Sequence, residues 1–135
     1  MKKILLPGLV AGLALLALSY GVLFLVIRIV PAMAEEYYNP IFWPGADRAF
    51  LFYLHPFILG LALAWFWNRF KEQLSASGTM RGIEMGLVYA LVATLPSMWI
   101  TFSAINVSLM MVLSWFVYGF VQAVIAGLVF TRLNP

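Results

Sequence analysis

The sequence lacks cysteine, contains one histidine, and carries only 8 Lys and Arg and 5 Asp and Glu residues. Without cysteine, disulfide exchange, thiolate catalysis and thiol metal ligation are excluded. The single His55 cannot form a multi-histidine metal site or supply both axial ligands of a haem. The chain shows no hydrolytic triad, paired carboxylates or phosphate-binding loop, so we expect no cofactor and no enzymatic activity.

Polar residues are too scarce to cover a water-soluble domain, since 64% of the chain is hydrophobic and its mean hydropathy is +0.99. Apolar runs occupy about 4–30, 48–69, 82–104 and 107–131. Roughly 20 apolar residues in a helix cross a bilayer, whereas barrel strands are shorter and alternate. The sequence therefore predicts an all-α, four-helix transmembrane domain covering 1–135, built as two antiparallel hairpins around an interfacial outer loop at 31–47.

The distribution of Lys and Arg between the two sides predicts the orientation of the chain in the membrane. If the chain crosses four times, only Arg28 and Arg48 fall on one side, and the other side receives Lys2, Lys3, Arg69, Lys71, Arg81 and Arg132. The positive-inside rule predicts a multi-pass protein of the inner membrane with both termini cytoplasmic. The basic start resembles a secretory signal, but its apolar run is too long, so we interpret it as a span. The net charge of +3 suits an anionic leaflet, and we expect no nucleic-acid partner.

The two long connections differ in character. The outer loop combines Tyr37, Tyr38, Phe42 and Trp43 with turn-forming residues, which favours an aromatic anchor at the membrane interface. A lid over an outward-facing cavity is the alternative. The second connection contains Ser75, Ser77 and Gly78 and is interpreted as a pliable hinge between the hairpins.

The two predicted hairpins align with each other, residues 8–13 on 82–87 and residues 55–70 on 118–133. This alignment predicts an internal pseudo-twofold repeat with its axis along the membrane normal, although apolar helices also resemble one another by composition. Pairs of small residues four positions apart mark the expected helix-packing faces. These pairs are Gly8 and Gly12, Gly60 and Ala64, Gly82 and Gly86, and Ala123 and Gly127.

The repeat aligns His55 and Pro56 with Tyr118 and Gly119, so a helix-disturbing residue follows a polar aromatic one in both halves. Helices interrupted at corresponding positions of two repeats point to a binding or transport site. The candidate residues of a weakly polar cavity in the outer half are His55, Tyr118, Gln122, Thr94 and Ser97. In the alternative interpretation, the prolines only kink their helices and the hydroxyls bond to their own backbone.

Glu84 is the strongest candidate for a coupling carboxylate, because it lies inside an apolar span. Four spans with one membrane glutamate resemble the small multidrug-resistance exporters, but that family's glutamate lies in the first span. Arg81, three residues earlier, and the helix N-terminus favour a purely stabilising role.

In layout, the four glycine-spaced spans resemble small four-span bacterial inner-membrane proteins of uncharacterised function, a resemblance that implies no functional residues. We expect a non-enzymatic structural or interaction subunit that contacts membrane lipids. Its small-residue faces are expected to form a homo-oligomer or a larger membrane complex. The alternative is a small transporter or lipophile-binding protein. An enzyme acting on lipid would need polar groups converging at one interface, which only Arg69, Arg81 and Glu84 offer.

Overall fold

The computed structural model describes residues 2–42, 45–74 and 77–135. Met1, Trp43, Pro44, Ser75 and Ala76 lie outside the described residues, as does the side chain of Ile41. The predicted interfacial position of Trp43 and the hinge role of Ser75 therefore fall outside the described part of the chain.

The described residues form helices and connections, with no strand among them, so the predicted all-α fold class is confirmed. The helices are α1 (Lys2–Ile29), α2 (Pro31–Tyr37), α3 (Ala49–Phe70), α4 (Thr79–Tyr89), α5 (Leu95–Ala104) and α6 (Leu109–Leu133). Short 3-10 turns occupy Pro40–Phe42 and Lys71–Gln73, and a π-helical segment, Ala90–Thr94, joins α4 to α5. Four helical stretches are long and apolar enough to cross a membrane: Lys2–Ile29, Ala49–Gln73, Thr79–Ala104 and Leu109–Leu133.

Local sequence explains where several helices begin. Pro31 starts α2, because its fixed φ suits the first helical turn and its missing N–H is not needed there. Gly78 precedes α4 with a φ of 53°, a left-handed value that glycine adopts without steric cost. Ser108 caps α6 by accepting a hydrogen bond from the Met111 amide at 3.1 Å.

Helices α1 and α3 pack through glycine. A Cβ added to Gly60 would lie 2.5 Å from the Gly8 carbonyl oxygen and 2.8 Å from the Gly12 nitrogen, so the two backbones touch directly. Gly8 lies against Leu61 and Gly12 against Phe57, so the contacts run in opposite chain order, as in antiparallel helices. Without Cβ atoms at these positions, the helices approach closely enough to gain dispersion energy that lipid cannot supply.

Helices α4 and α6 repeat this arrangement. A Cβ on Gly127 would lie 2.5 Å from the Gly82 carbonyl oxygen, and a Cβ on Gly86 would lie 3.0 Å from the Val124 nitrogen. Gly127 therefore takes the place that Gly60 has in the first pair, whereas the sequence alignment matches Gly60 with Ala123. The contact pattern is shifted by one helical turn from the alignment, because the glycine that permits contact sets the register.

The hydrophobic core lies at the end of the bundle that holds both chain termini, called here the closed end. Its fully buried large side chains include Trp67, Phe130 and Met85, with the rings of Trp67 and Phe130 6.1 Å apart. The indole of Trp67 donates to the Asn134 carbonyl at 2.8 Å, and the Asn134 amide donates to the Lys3 carbonyl at 3.2 Å. These bonds tie the two chain ends and the end of α3 together.

Candidate functional site

A cavity of about 400 Å³ lies at the opposite end of the bundle, called here the open end. It is lined by the halves of α1, α3 and α6 at this end, together with Met33 and Tyr37 of α2. Its lining is mostly apolar and includes no charged side chain. The lining residues are Ser19, Val22, Leu23, Val26, Met33, Tyr37, Phe52, His55, Pro56, Ser114, Trp115 and Tyr118.

A hydrogen bond between α1 and α6 forms part of the cavity wall, with the hydroxyls of Ser19 and Tyr118 2.6 Å apart. The Ser19 hydroxyl donates its single proton to the Leu15 carbonyl at 2.9 Å. Tyr118 must therefore be the donor to Ser19, because a hydroxyl carries one proton only. The Tyr118 oxygen can therefore only accept any further hydrogen bond, because its own proton is already donated.

An aromatic cluster joins α2 and the following 3-10 turn to α6 beside the cavity. The Trp115 indole donates to the Tyr37 hydroxyl, and the rings of Phe42 and Trp115 meet edge to face at 6.0 Å. Burial raises the pKa of the half-buried Tyr37, so its phenol keeps its proton. Among the described residues no acceptor for that proton is present, so Tyr37 offers the cavity a free donor.

A second contact fixes α2 to the start of α6. The Glu36 carboxylate accepts from the Ser108 amide at 2.9 Å and from the Ser108 hydroxyl at 2.6 Å. The bond from the Ser108 side chain, followed by the one from its backbone, lowers the pKa of Glu36. A negative charge beside this helix N-terminus also complements the helix dipole. We call this pair the Glu36–Ser108 latch.

His55 and Pro56 lie on the α3 wall of the cavity, as does Phe52. Because proline has no N–H, Pro56 leaves the Phe52 carbonyl without its usual donor within the helix. The exposed His55 imidazole has no hydrogen-bond partner among the described side chains. The α3 wall thus offers one backbone acceptor and one group that can donate or accept.

The structure divides the candidate cavity residues predicted from sequence. His55 and Tyr118 both line the cavity. Thr94 and Gln122 lie deeper, and both are more than nine-tenths buried. Ser97 is exposed outside the cavity and donates to the Ala93 carbonyl of its own helix at 2.7 Å, as the alternative interpretation expects.

Thr94 and Gln122 form a buried polar position next to the π-helical segment. A Cβ on Gly119 would lie 2.9 Å from the Thr94 side chain, so the missing side chain makes room for Thr94 against α6. Within the described structure, Thr94 Oγ1 and Gln122 Nε2 have no hydrogen-bond partner, although the Tyr89 side chain is close to Thr94. The hydrogen-bonding capacity of these two buried side chains is therefore only partly used.

The proposed coupling carboxylate lies away from the cavity. Glu84 is half-buried near the start of α4, between Gly82, which contacts Gly127, and Gly86, which contacts Val124. The part of α6 that packs beside Glu84 lies about 12 Å from Tyr118 along the helix axis, at a rise of about 1.5 Å per residue. No cluster of three metal-binding side chains occurs in the part of the chain that the structure describes.

Sequence reasoning did not select four polar residues that line the cavity: Ser19, Tyr37, Ser114 and Trp115. Ser19 is an isolated hydroxyl in a long apolar run, a signal that a search for inward-facing polar residues would have found. Tyr37 was considered only as part of a loop. Met33 and Tyr37 of that loop region lie in α2 and line the cavity, and its role as an anchor or a lid stays a prediction.

The four spans define a polytopic integral membrane protein, all-helical in its described residues, with a cavity at one end. No protein-family model, curated protein or solved structure matches the chain.

Proposed function

We propose that this membrane protein is non-enzymatic and binds a lipophilic molecule in the cavity at its open end. The observation that supports this proposal is the cavity itself, with a mostly apolar wall and a few convergent hydroxyls. Its volume of about 400 Å³ falls within the usual range of small-molecule pockets, and such composition is typical of them. A narrower role as a transporter would also require an exit at the closed end, where α4 and α6 touch through glycine.

Lipid is the expected source of the ligand, because the cavity lining is exposed on the side of α1 and α3, where the rings of Tyr20 and Tyr53 stack with centroids 6.5 Å apart. The exposed members of its lining, Leu23, Phe52 and His55, all belong to these two helices. Residues contributed by α2 and α6, such as Met33, Tyr37 and Ser114, are buried or half-buried. A molecule dissolved in the bilayer therefore reaches the cavity past the exposed side chains of α1 and α3, beside the Tyr20–Tyr53 pair.

Filling the cavity tests this function. We would substitute Ser114→Phe and measure co-purifying lipophiles by native mass spectrometry after extraction in a mild detergent. The wild-type protein is expected to retain a bound lipophile, and the variant is expected to lose it because the added ring occupies the cavity. Ser97→Phe is the matched control, since this serine also bonds within its own helix but lies outside the cavity. Equal retention by both variants would contradict the proposal.

A role as an interaction subunit is the second candidate, and α5 supports it. None of the residues of α5 is buried, and Trp99 is 77% exposed. The glycine faces expected to join separate copies are occupied within the chain, so α5 is a better candidate for contact with another membrane helix. The mass of the particle in nanodiscs tests this role: Trp99→Ala should lower the mass, whereas Trp65→Ala on α3 should not.

We also propose that both termini face the cytoplasm of a cell with this protein in its inner membrane. The termini lie at one end of the bundle, where Asn134 bonds to Lys3, and that end also carries most of the basic residues. A Ser77→Cys variant of the cysteine-free chain provides the test. Its labelling by a membrane-impermeant thiol reagent should occur only after cell lysis, and labelling of intact cells would reverse the orientation.

A further inference from the structure

The hydrogen-bonding groups of the cavity restrict the chemistry of its ligand. Tyr37 has a proton to donate and no acceptor for it among the described residues. The Tyr118 oxygen can accept, because its own proton is directed to Ser19, and the Phe52 carbonyl lacks its helical donor. A ligand that forms hydrogen bonds with these groups needs both an acceptor and a donor. A single hydroxyl group supplies both.

Charge restricts the ligand further. The lining contains no lysine, arginine, aspartate or glutamate. The nearest carboxylate along α2, that of Glu36, accepts bonds from Ser108, and the Arg28 guanidinium lies 4.1 Å from the centre of the Phe24 ring. An ionised headgroup in this apolar cavity would lose its hydration without meeting a lysine, arginine, aspartate or glutamate in the described lining, and that loss is costly. An uncharged headgroup avoids it.

The space beside the cavity suits a long apolar tail. A second pocket of about 320 Å³ lies in the angle between α1 and α2 and shares Leu23, Val26 and Tyr37 with the cavity. Exposed apolar side chains continue along both helices that border the opening, including Phe24 on α1 and Leu51 on α3. A hydrocarbon chain leaving the cavity therefore remains in contact with apolar surface and lipid.

We infer that the ligand is an uncharged lipid alcohol, whose hydroxyl lies among Tyr37, Tyr118 and His55 and whose tail leaves along the exposed apolar surface beside the cavity. This inference rests on the proposed lipophile-binding function. It adds the headgroup class and assigns Tyr37 and Tyr118 as the residues that select it. Diacylglycerol has the required chemistry, with one free hydroxyl and no charge.

Three probes with identical acyl chains test the headgroup: dioleoylglycerol, its 3-methyl ether, and dioleoyl phosphatidic acid. Binding to the full chain in detergent micelles would be measured by titration with native mass spectrometry. Dioleoylglycerol is expected to bind at least about tenfold more tightly than phosphatidic acid, because no lysine or arginine among the described residues lines the cavity to offset the desolvation of the phosphate. Loss of the hydroxyl donor in the ether is expected to weaken binding by roughly 2- to 12-fold, the value of one hydrogen bond.

Two variants and one control test the residues. Tyr37→Phe and Tyr118→Phe each keep the ring and should each weaken dioleoylglycerol binding by roughly 2- to 12-fold. Tyr89→Phe should have no effect on binding, since Tyr89 ends α4 and is absent from the cavity lining. Thermal unfolding of each variant separates lost binding from lost folding.

Failure of the lipid-alcohol inference can be distinguished from failure of the proposed lipophile-binding function. Equal or tighter binding of phosphatidic acid would overturn the uncharged headgroup. Unchanged binding in both tyrosine variants would overturn their role in selection. If no probe binds, the lipid-alcohol inference is wrong; the broader function then stands only if wild-type protein retains a lipophile that Ser114→Phe loses.

Discussion

The two ends of this helical bundle are built from opposite kinds of contact. At the closed end, glycine brings backbones together, and large buried rings such as Trp67 and Phe130 fill the remaining space. At the open end, α1, α3 and α6 line a cavity and are joined through side chains, such as Ser19 with Tyr118. Backbone contact is thus concentrated in one half of the spans, and the cavity lies in the other.

If the open end binds a ligand as proposed, the two ends of the bundle separate stability from binding. Hydrophobic burial does not drive helix association in lipid, so close packing and hydrogen bonds must do so. The closed end concentrates both, including the bond from Trp67 to Asn134. We therefore expect substitutions there to reduce stability, and substitutions at the open end to reduce binding with little effect on stability.

The largest effect is expected from Gly127→Leu at the closed end. The new side chain would collide with the Gly82 backbone, which cannot move aside as a flexible side chain would. Overpacking of this kind should lower the free energy of unfolding by about 3 kcal/mol. Thermal unfolding in detergent provides the measurement, and Gly21→Leu is the control because no atom lies within 4 Å of its added Cβ. Comparable stability of the two variants would contradict close packing at Gly127.

A smaller loss is expected from Trp67→Phe. The substitution keeps an aromatic ring against Phe130 but removes the donor to the Asn134 carbonyl, leaving a buried acceptor less satisfied. The expected loss is about 1–3 kcal/mol. Trp65→Phe is the matched control, since Trp65 is 57% exposed on the same helix. Equal unfolding temperatures of the two variants would contradict a stabilising hydrogen bond between Trp67 and Asn134.

Gln122→Met probes the boundary between the two ends. Methionine has a similar length but lacks the buried amide nitrogen that has no partner among the described residues. We expect a gain of about 1 kcal/mol in unfolding free energy, because an unsatisfied polar group is removed. A loss of stability instead would mean that the amide is hydrogen-bonded in the folded protein, for example through a bound water molecule.

The smallest effect is expected at the Glu36–Ser108 latch and depends on pH. Folding lowers the pKa of Glu36, so the stabilisation is present above its unfolded pKa and is lost as the pH falls through the lowered folded value. Amide exchange in α2 should therefore accelerate below about pH 4, relative to the intrinsic rate. Glu36→Gln should remove this dependence, whereas substitution of the exposed Glu35 should preserve it. An acid step that persists in Glu36→Gln would assign the effect to another group.

The spans could be predicted from sequence because their length and hydropathy depend on composition alone. Contacts between distant residues could not: Ser19 and Tyr118 are 99 positions apart, and Glu36 and Ser108 are 72 apart. The repeat drew attention to His55 and Tyr118, which both line the cavity. The sequence alignment of the two hairpins missed the one-turn shift that places Gly127 where Gly60 lies in the first pair. Apolar sequences can be aligned in several registers, whereas backbone contact fixes one.

The difference between the two ends is tested most directly by the reactivity of single cysteines in this cysteine-free chain. Ser114→Cys introduces a thiol in the cavity, and Ala126→Cys introduces one in the core of the closed end. With a small membrane-permeant maleimide, the thiol at position 114 should react at least about tenfold faster, because a fully buried thiol is inert. Equal rates at the two positions in the folded protein would contradict a ligand-accessible cavity at one end and a closed core at the other.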